Sequence, residues 1–262
     1  GIQEKPATTD TTTTTTTAIT TIDSAMVTQD DDVEVVADAE APPTEAEDCV
    51  NLTSISESFM GSSEVINGNE LTELCPDLEL KEYQVVGVNW LKLLHSQSLS
   101  GILADDMGLG KTIQTIAFLA YLKISRSNKS AVANPHLLVV PASTLSNWIN
   151  ELKRFCPSMN VMVYHGSQAE RAEKAEILRY DAARGVYDII LCTYTMFERE
   201  SGKEDRAVIN RIRFEYLVLD EAHCIKNAKS SRFENLRRTQ NKHRLLLSGT
   251  PVQNDVKELL AM

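Results

Sequence analysis

Three stretches of this chain hold side chains whose types and spacing suit phosphate chemistry. The first is ADDMGLGKT, residues 104–112. A phosphate-binding loop needs glycines that let backbone N–H groups curl around phosphate oxygens, a lysine for the β- and γ-phosphates, and a hydroxyl that reaches Mg²⁺. Gly108 and Gly110, Lys111 and Thr112 meet those needs in turn, and Asp105, Met107, Leu109 and Ile113 complete the expected nucleotide contacts. Asp105 stands where the template G-x-x-x-x-G-K-[ST] has its first glycine. The second stretch is YLVLDEAH, residues 216–223, where an apolar run delivers Asp220 and Glu221 to a strand end. Asp220 would hold Mg²⁺ and Glu221 would orient or deprotonate a water. Two adjacent carboxylates repel unless a cation sits with them. The third is SGTPVQN, residues 248–254, in which Ser248, Gly249 and Thr250 give a polar loop. Alone, each stretch has a plain structural reading: a glycine turn before a helix, an acidic helix start, a strand-ending turn. Together they point to ATP with Mg²⁺. His223 reads either as a turn residue or as a relay between the nucleotide and residues 248–254.

Strands must deliver these loops, and the apolar patterning supplies them. A short strand is predicted over 101–104, followed by a helix over 111–123. HLLVV (136–140) is an unbroken apolar run, as in a buried parallel strand. A helix over 143–155 has Ser143 as its expected cap. NVMVYHG (160–166), YDIILCT (187–193), YLVLD (216–220) and HRLLLSGT (243–250) read as further strands, with a polar-faced helix over 167–185. Upstream, Val85, Val88, Trp90, Leu91 and Leu94 recur at helical spacing. The charged run ERESGKEDRA (198–207) reads as an exposed loop, and RFENLRR (232–238) as either a basic nucleic-acid-facing helix or a solvated one. Alternating strands and helices predict an α/β fold with a doubly wound, mostly parallel sheet.

Charge is divided unevenly. Residues 1–79 hold 18 Asp and Glu against Lys5 alone, a net of −17, whereas residues 80–262 hold 25 Lys and Arg against 19 Asp and Glu, a net of +6. The Thr repeat TTDTTTTTTT and the acidic clusters lack the apolar surface to offset ordering entropy, so residues 1–77 read as a disordered acidic leader and 78–262 as the folded domain. A mildly basic body is compatible with binding a phosphate backbone without demanding it. Five cysteines, none in C-x-x-C spacing, read as reduced thiols of the cytosol or nucleus rather than a zinc module. No apolar run approaches 18 residues. The start at Gly1 and the helical pattern of the final KELLAM read as a piece of a longer protein.

The ordered set LKEYQVVGVNW, DDMGLGKT, LLVVPASTLSNW, YHGS, DIILCTY, DEAHCIKN and LLLSGTPVQN resembles the first RecA-like lobe of the Snf2 family of superfamily 2 DNA-translocating ATPases, nearest to its SMARCAD-type chromatin remodellers. The resemblance covers residues 78–262. It implies a P-loop NTPase lobe that binds ATP and Mg²⁺, steps along duplex DNA, and shifts or evicts histones of nucleosomes in the nucleus. A second lobe would supply arginine fingers, and without it ATP turnover would be slight. By the same resemblance Gln84 reads adenine, with Tyr83 beside it. Ser143, Thr144, Thr193, Tyr194 and Lys226 would face the DNA strand, and His223, Ser248, Gly249 and Thr250 would couple the site to movement. Ser143 and Thr144 can equally be helix caps alone. Asp106 and Ser248 depart from the family's usual Glu and Thr. An RNA helicase lobe of the D-E-A-H type and a non-catalytic nucleotide-dependent scaffold are the other functions compatible with these loops.

Overall fold

Alternating apolar residues along six strands feed two separate cores, one on each face of a single sheet. The structure is a computed structural model that describes residues 71, 74–127, 133–225, 227 and 229–249. The leader up to residue 70, Lys226, and Thr250 onward lie outside the described residues. In chain order the elements are α1 (Glu82–Ser96), β1 (Gly101–Leu103), α2 (Lys111–Ser127), β2 (His136–Val140), α3 (Leu145–Phe155), β3 (Val161–Val163), α4 (Gln168–Asp181), β4 (Ile189–Thr193), α5 (Thr195–Glu198), α6 (Lys203–Ile209), β5 (Arg213–Leu219), α7 (Ser231–Arg237) and β6 (Gln240–Leu247). The sheet order is β1-β6-β5-β2-β4-β3, with every described pair parallel.

Side chains alternate across a strand, so neighbouring residues enter opposite cores. Leu103, Leu138, Val140, Leu191, Val218 and Leu245 pack with Val88 and Leu91 of α1, Ile116 to Ala120 of α2, and Leu145, Trp148 and Leu152 of α3. Ile102, Leu137, Val139, Ile190, Leu217 and Leu246 face the other way, onto Leu178 of α4, Phe197 of α5, Val208 and Ile209 of α6, and Phe233 and Leu236 of α7. This is the doubly wound arrangement that the patterning predicts.

Several boundaries differ from expectation. Leu71 and Cys75 belong to the first core, so the ordered body reaches upstream of residue 78. The charged run 198–207 is mostly exposed, as expected, but is not a loop. It forms a 3₁₀ turn, Glu200–Gly202, and the start of α6. Its Asp205 is buried and accepts hydrogen bonds from Tyr164 Oη (2.8 Å) and Arg171 Nε (3.0 Å), while Val208 and Ile209 anchor the helix in the core. A buried ion pair of this kind is invisible to local composition. Ser143 does not cap α3. That helix starts one residue later, at Leu145, and Thr144 occupies the cap position without a side-chain capping bond. By contrast Ser167 caps α4 in a reciprocal capping box with Glu170.

The sheet's amino-terminal half carries an aromatic cluster. His243 stacks on Tyr216 with ring centroids 4.9 Å apart, His95 Nδ1 lies 3.1 Å from Tyr216 Oη, and His136 packs 5.9 Å from the same ring. Burial holds both His136 and His243 below the ordinary imidazole value, with Arg126 adding to the effect on each. Both therefore bind a proton less readily in the folded chain than when unfolded. Unfolded imidazoles gain protons as pH falls through about 6.5. The unfolded state then binds more protons than the folded one, and stability is lost with falling pH. The melting temperature should hold steady just above pH 7 and fall between pH 6.5 and 5, each histidine contributing up to about 1.4 kcal/mol per pH unit. Thermal melts of His136→Asn across that range should show a shallower slope, and an unchanged slope would refute this account.

Candidate functional site

Loops after β1, β6 and β5 share one edge of the sheet. β6 pairs with β1 on one side and β5 on the other, through Leu103 with Leu247 and Leu219 with Leu246. Strands spaced about 4.8 Å apart put the ends of β1 and β5 roughly 10 Å from each other, with the end of β6 between them. Ligands of open parallel sheets bind at this carboxyl edge.

The loop after β1 is wound tightly. Gly108 and Gly110 have φ values of +87° and +82°. A Cβ on Gly110 would also lie 2.5 Å from Gln84 Nε2, so position 110 has neither the conformation nor the room for another residue. Gln84 Nε2 donates to Leu109 O (3.1 Å) while its Oε1 accepts from Lys81 N (2.9 Å). Gln84 thus braces the loop and keeps one amide hydrogen and one acceptor site of Oε1 for the adenine-reading role that the resemblance implies. Asp105, the residue that breaks the glycine template, is tied to α2 through Gln114 Nε2 (2.9 Å). Lys111 Nζ donates to the carbonyl oxygens of Asp105 (2.7 Å) and Asp106 (3.0 Å), which keeps the ammonium inside the loop's curve. The first turn of α2 holds no acidic residue, so its backbone N–H groups and the positive end of its dipole are uncompensated. Among the described residues the Thr112 hydroxyl has no hydrogen-bond partner, and Met107 is 73% exposed at the loop's tip. Met107 and Ile113 thus flank the loop at its mouth and at the start of α2.

The loop after β6 closes on it. Ser248 N donates to Leu103 O (3.1 Å), joining the two strand ends. A Cβ on Gly249 would sit 2.8 Å from Met107 Cγ and 3.5 Å from Lys111 Nζ, so this glycine allows a close approach to the lysine.

Asp220 follows β5. Its Oδ2 accepts from Trp148 Nε1 (2.8 Å) and Thr144 Oγ1 (3.3 Å), its Oδ1 from Glu221 N (3.0 Å), and its main-chain oxygen from Tyr194 Oη (2.7 Å). Burial pushes the carboxyl above its ordinary value and the neighbouring Glu221 adds to this, while the donated hydrogen bonds work against it. Glu221 has φ +50°, a left-handed conformation that costs a non-glycine residue about 1–2 kcal/mol. Its Oε2 lies 3.1 Å from His223 Nδ1 in the 3₁₀ turn Ala222–Ile225.

These residues fit ATP with Mg²⁺. Loop amides and Lys111 suit a triphosphate. A half-buried carboxylate pair, with the Asp220 carboxyl raised in part by its neighbour, suits a cation. No cluster of three or more metal-ligating side chains occurs among the described residues. That is the ordinary situation for Mg²⁺, which takes one or two carboxylates and completes its shell with water and substrate phosphates.

The strand-facing set is divided. Ser143 is exposed and Thr144 half-buried at the turn after β2. Thr193 and Tyr194 are 1% and 3% exposed, so neither presents its side chain to a DNA strand as the resemblance implies. Thr193 Oγ1 pairs with Thr195 Oγ1 (2.9 Å), and Tyr194 turns inward to the carbonyl of Asp220. Lys226 and Thr250 lie outside the described residues.

Residues 83–262 match the SNF2-related domain. This chain belongs to that family. It is 48% identical over 189 residues to the ATP-dependent helicase fft2 of Schizosaccharomyces pombe, covering 72% of this chain and 14% of that one. It is 46% identical over 198 residues to the mouse "SWI/SNF-related matrix-associated actin-dependent regulator of chromatin subfamily A containing DEAD/H box 1", covering 75% and 18%. The Saccharomyces cerevisiae ATP-dependent helicase FUN30 is 46% identical over 189 residues, covering 72% and 16%. The chain therefore spans under a fifth of these SNF2 relatives. Among solved structures, the Sulfolobus solfataricus SWI2/SNF2 ATPase core in complex with double-stranded DNA superposes with a TM-score of 0.58 at 32% identity, over 70% of this chain and 35% of that one. The fold is thus the RecA-like lobe of an SNF2 ATPase core.

Trp148 and Gln114 escaped the sequence reading as site residues. Both sit on helix faces that pack inward, and Trp148 shares the i, i+3, i+7 stripe of Leu145 and Leu152. The available signal was the indole N–H, which a buried tryptophan must satisfy.

Gly110→Ala should destabilise the folded chain by about 1–2 kcal/mol through its positive φ and should weaken nucleotide binding. Urea unfolding and titration with a fluorescent ATP analogue measure the two effects.

Proposed function

We propose that this lobe binds ATP with Mg²⁺ and, working with a second lobe, hydrolyses it to move along duplex DNA and reposition or evict nucleosomes in the nucleus. The observation that carries the reading is convergence at one sheet edge. The Gly108–Gly110 loop, Lys111, Ser248–Gly249 and the Asp220–Glu221 pair all follow strands that end at that edge, in a chain of the SNF2 family. The DNA-bound state of the Sulfolobus relative supports duplex DNA as the track.

In this reading the loop amides and α2's first turn bind the phosphates, and Lys111 leaves the carbonyls of Asp105 and Asp106 to meet the β- and γ-phosphates. Thr112 and Asp220 would hold Mg²⁺, which supplies charge neutralisation on the phosphates when bound. Glu221 orients or deprotonates the attacking water, and the His223 imidazole fixes the rotamer of that carboxylate. Ser248, Gly249 and Thr250 report the state of the phosphates to the remainder of the motor. The close approach of Gly249 to Met107 and Lys111 supports this role. Ser143 and Lys226 contact the DNA backbone, whereas the donors of Thr144 are engaged by Pro141 O and Asp220.

Glu221→Gln should bind a fluorescent ATP analogue as the unaltered chain does, while single-turnover hydrolysis falls by about 10²–10⁴. Lys111→Ala should lose the binding itself. Hydrolysis that survives Glu221→Gln would defeat the motor reading. The described residues build one lobe, and the resemblance assigns the transition-state arginines to another. Residues 1–262 alone should therefore turn over ATP about 10³–10⁵ more slowly than a two-lobed SNF2 ATPase, as a steady-state phosphate-release assay with duplex DNA would show.

A further inference from the structure

Asp220 is held by donors from two other segments of the chain. Trp148 Nε1 and Thr144 Oγ1 reach its Oδ2 from the turn and helix that follow β2, whereas Asp220 itself follows β5. Each carboxylate oxygen has two acceptor sites. Trp148 Nε1 fills one site of Oδ2 (2.8 Å), the single proton of Thr144 Oγ1 is shared between the second site (3.3 Å) and Pro141 O (3.2 Å), and Oδ1, which accepts only the Glu221 amide, keeps one site. A carboxylate's last torsion is broad and roughly two-fold, so an untethered Asp220 would present either oxygen. The indole can only donate, and its ring is locked in the first core with Leu145 and Leu152. Tyr194 Oη meanwhile fixes the main chain at the same residue.

We propose that Trp148, assisted by Thr144, is a positioning residue for the metal carboxylate. Its N–H holds Oδ2 against α3 so that Oδ1 is the oxygen turned to Mg²⁺ or its water shell, and Thr144 ties the same carboxylate to the turn of residues 141–144. The assignment rests on the nucleotide–Mg²⁺ reading above. A tryptophan that merely fills the core would need no acceptor of this charge, and any buried aromatic ring would replace it.

The test uses the full chain and a fluorescent ATP analogue, titrated with EDTA and then with saturating Mg²⁺. The ratio of the two affinities is the gain that the metal provides. Trp148→Phe keeps a buried ring and removes the N–H. It should cut the gain about tenfold, as loss of a partner behind a metal ligand commonly does, and leave the metal-free affinity unchanged. Thr144→Val should cut the gain by a smaller factor. Leu152→Ala, on the same buried face, should lower the melting temperature without altering the gain. An unchanged gain in Trp148→Phe and Thr144→Val would overturn the proposal. So would equal losses with and without Mg²⁺, which mark a purely structural role. Should Trp148→Phe fail to fold, Thr144→Val decides alone. Failure of the underlying reading looks different: the unaltered chain would then show no Mg²⁺-dependent gain and no sensitivity to Lys111→Ala.

Discussion

The pairing of β6 between β1 and β5 is the constraint on which the rest of this molecule depends. The proposed phosphate loop at Lys111 and metal carboxylate at Asp220, 109 residues apart in sequence, can share a ligand only if their strands end at the same height, about two strand spacings apart. The register of Leu103 with Leu247 and of Leu246 with Leu219 sets that height. The Ser248 amide, bonded to Leu103 O, then seals the joint at the point where β6 leaves the sheet. Slipping β6 by one residue would exchange its two faces. Leu245 and Leu247 would leave the first core for the second, and Gly249 would no longer meet Lys111. Packing of the interior and geometry of the site are thus fixed by one set of backbone hydrogen bonds.

The two ends of this sheet resolve their polar groups differently. At the amino-terminal half, burial disfavours charged imidazoles and pushes Tyr216 well above the ordinary phenol range, so the cluster is held by ring packing and neutral hydrogen bonds. At the carboxyl edge, charges are retained at a cost. Asp220 is partly desolvated beside another carboxylate, Glu221 carries a left-handed backbone, and Lys111 rests on main-chain carbonyls rather than on an acidic partner. The carboxylate repulsion and the half-satisfied Lys111 are arrangements that a triphosphate with its cation would relieve. Like-charge repulsion and a left-handed acidic residue at one strand-end edge are features that accompany ligand sites.

Most of the architecture was legible in the sequence because its signals are local. HLLVV is buried at all five positions, as an unbroken apolar run implies, and Gly-Lys-Thr opens α2 where the loop chemistry requires a helix start. What escaped detection was long-range. Nothing near Asp205 announces Tyr164 and Arg171, 41 and 34 residues away, so a charged run looked like a loop. Thr193 and Tyr194 carry polar groups at a strand end, which reads as ligand-facing until the packing buries them. Ser143 has the right type for a cap, but the turn passes that place to Thr144, whose hydroxyl serves Pro141 O and Asp220 instead.

The same distinction explains why the site could be named before its supports could. Residues that meet a ligand are selected for chemistry, and chemistry restricts residue type and spacing within one loop. Residues that hold them are selected for position, and a position can be reached from any element that the fold brings near. Trp148 is 72 residues from Asp220, and Gln84 is 25 from the loop carbonyl it braces. Each looks ordinary in its own helix. Only the parallel order of the strands makes them neighbours, by carrying α1, α2 and α3 over one face and ending β1, β2 and β5 at one edge. The supporting shell of this site is therefore a property of the topology, and the loops alone, transplanted to a sheet with another strand order, would keep their glycines and lose their aim.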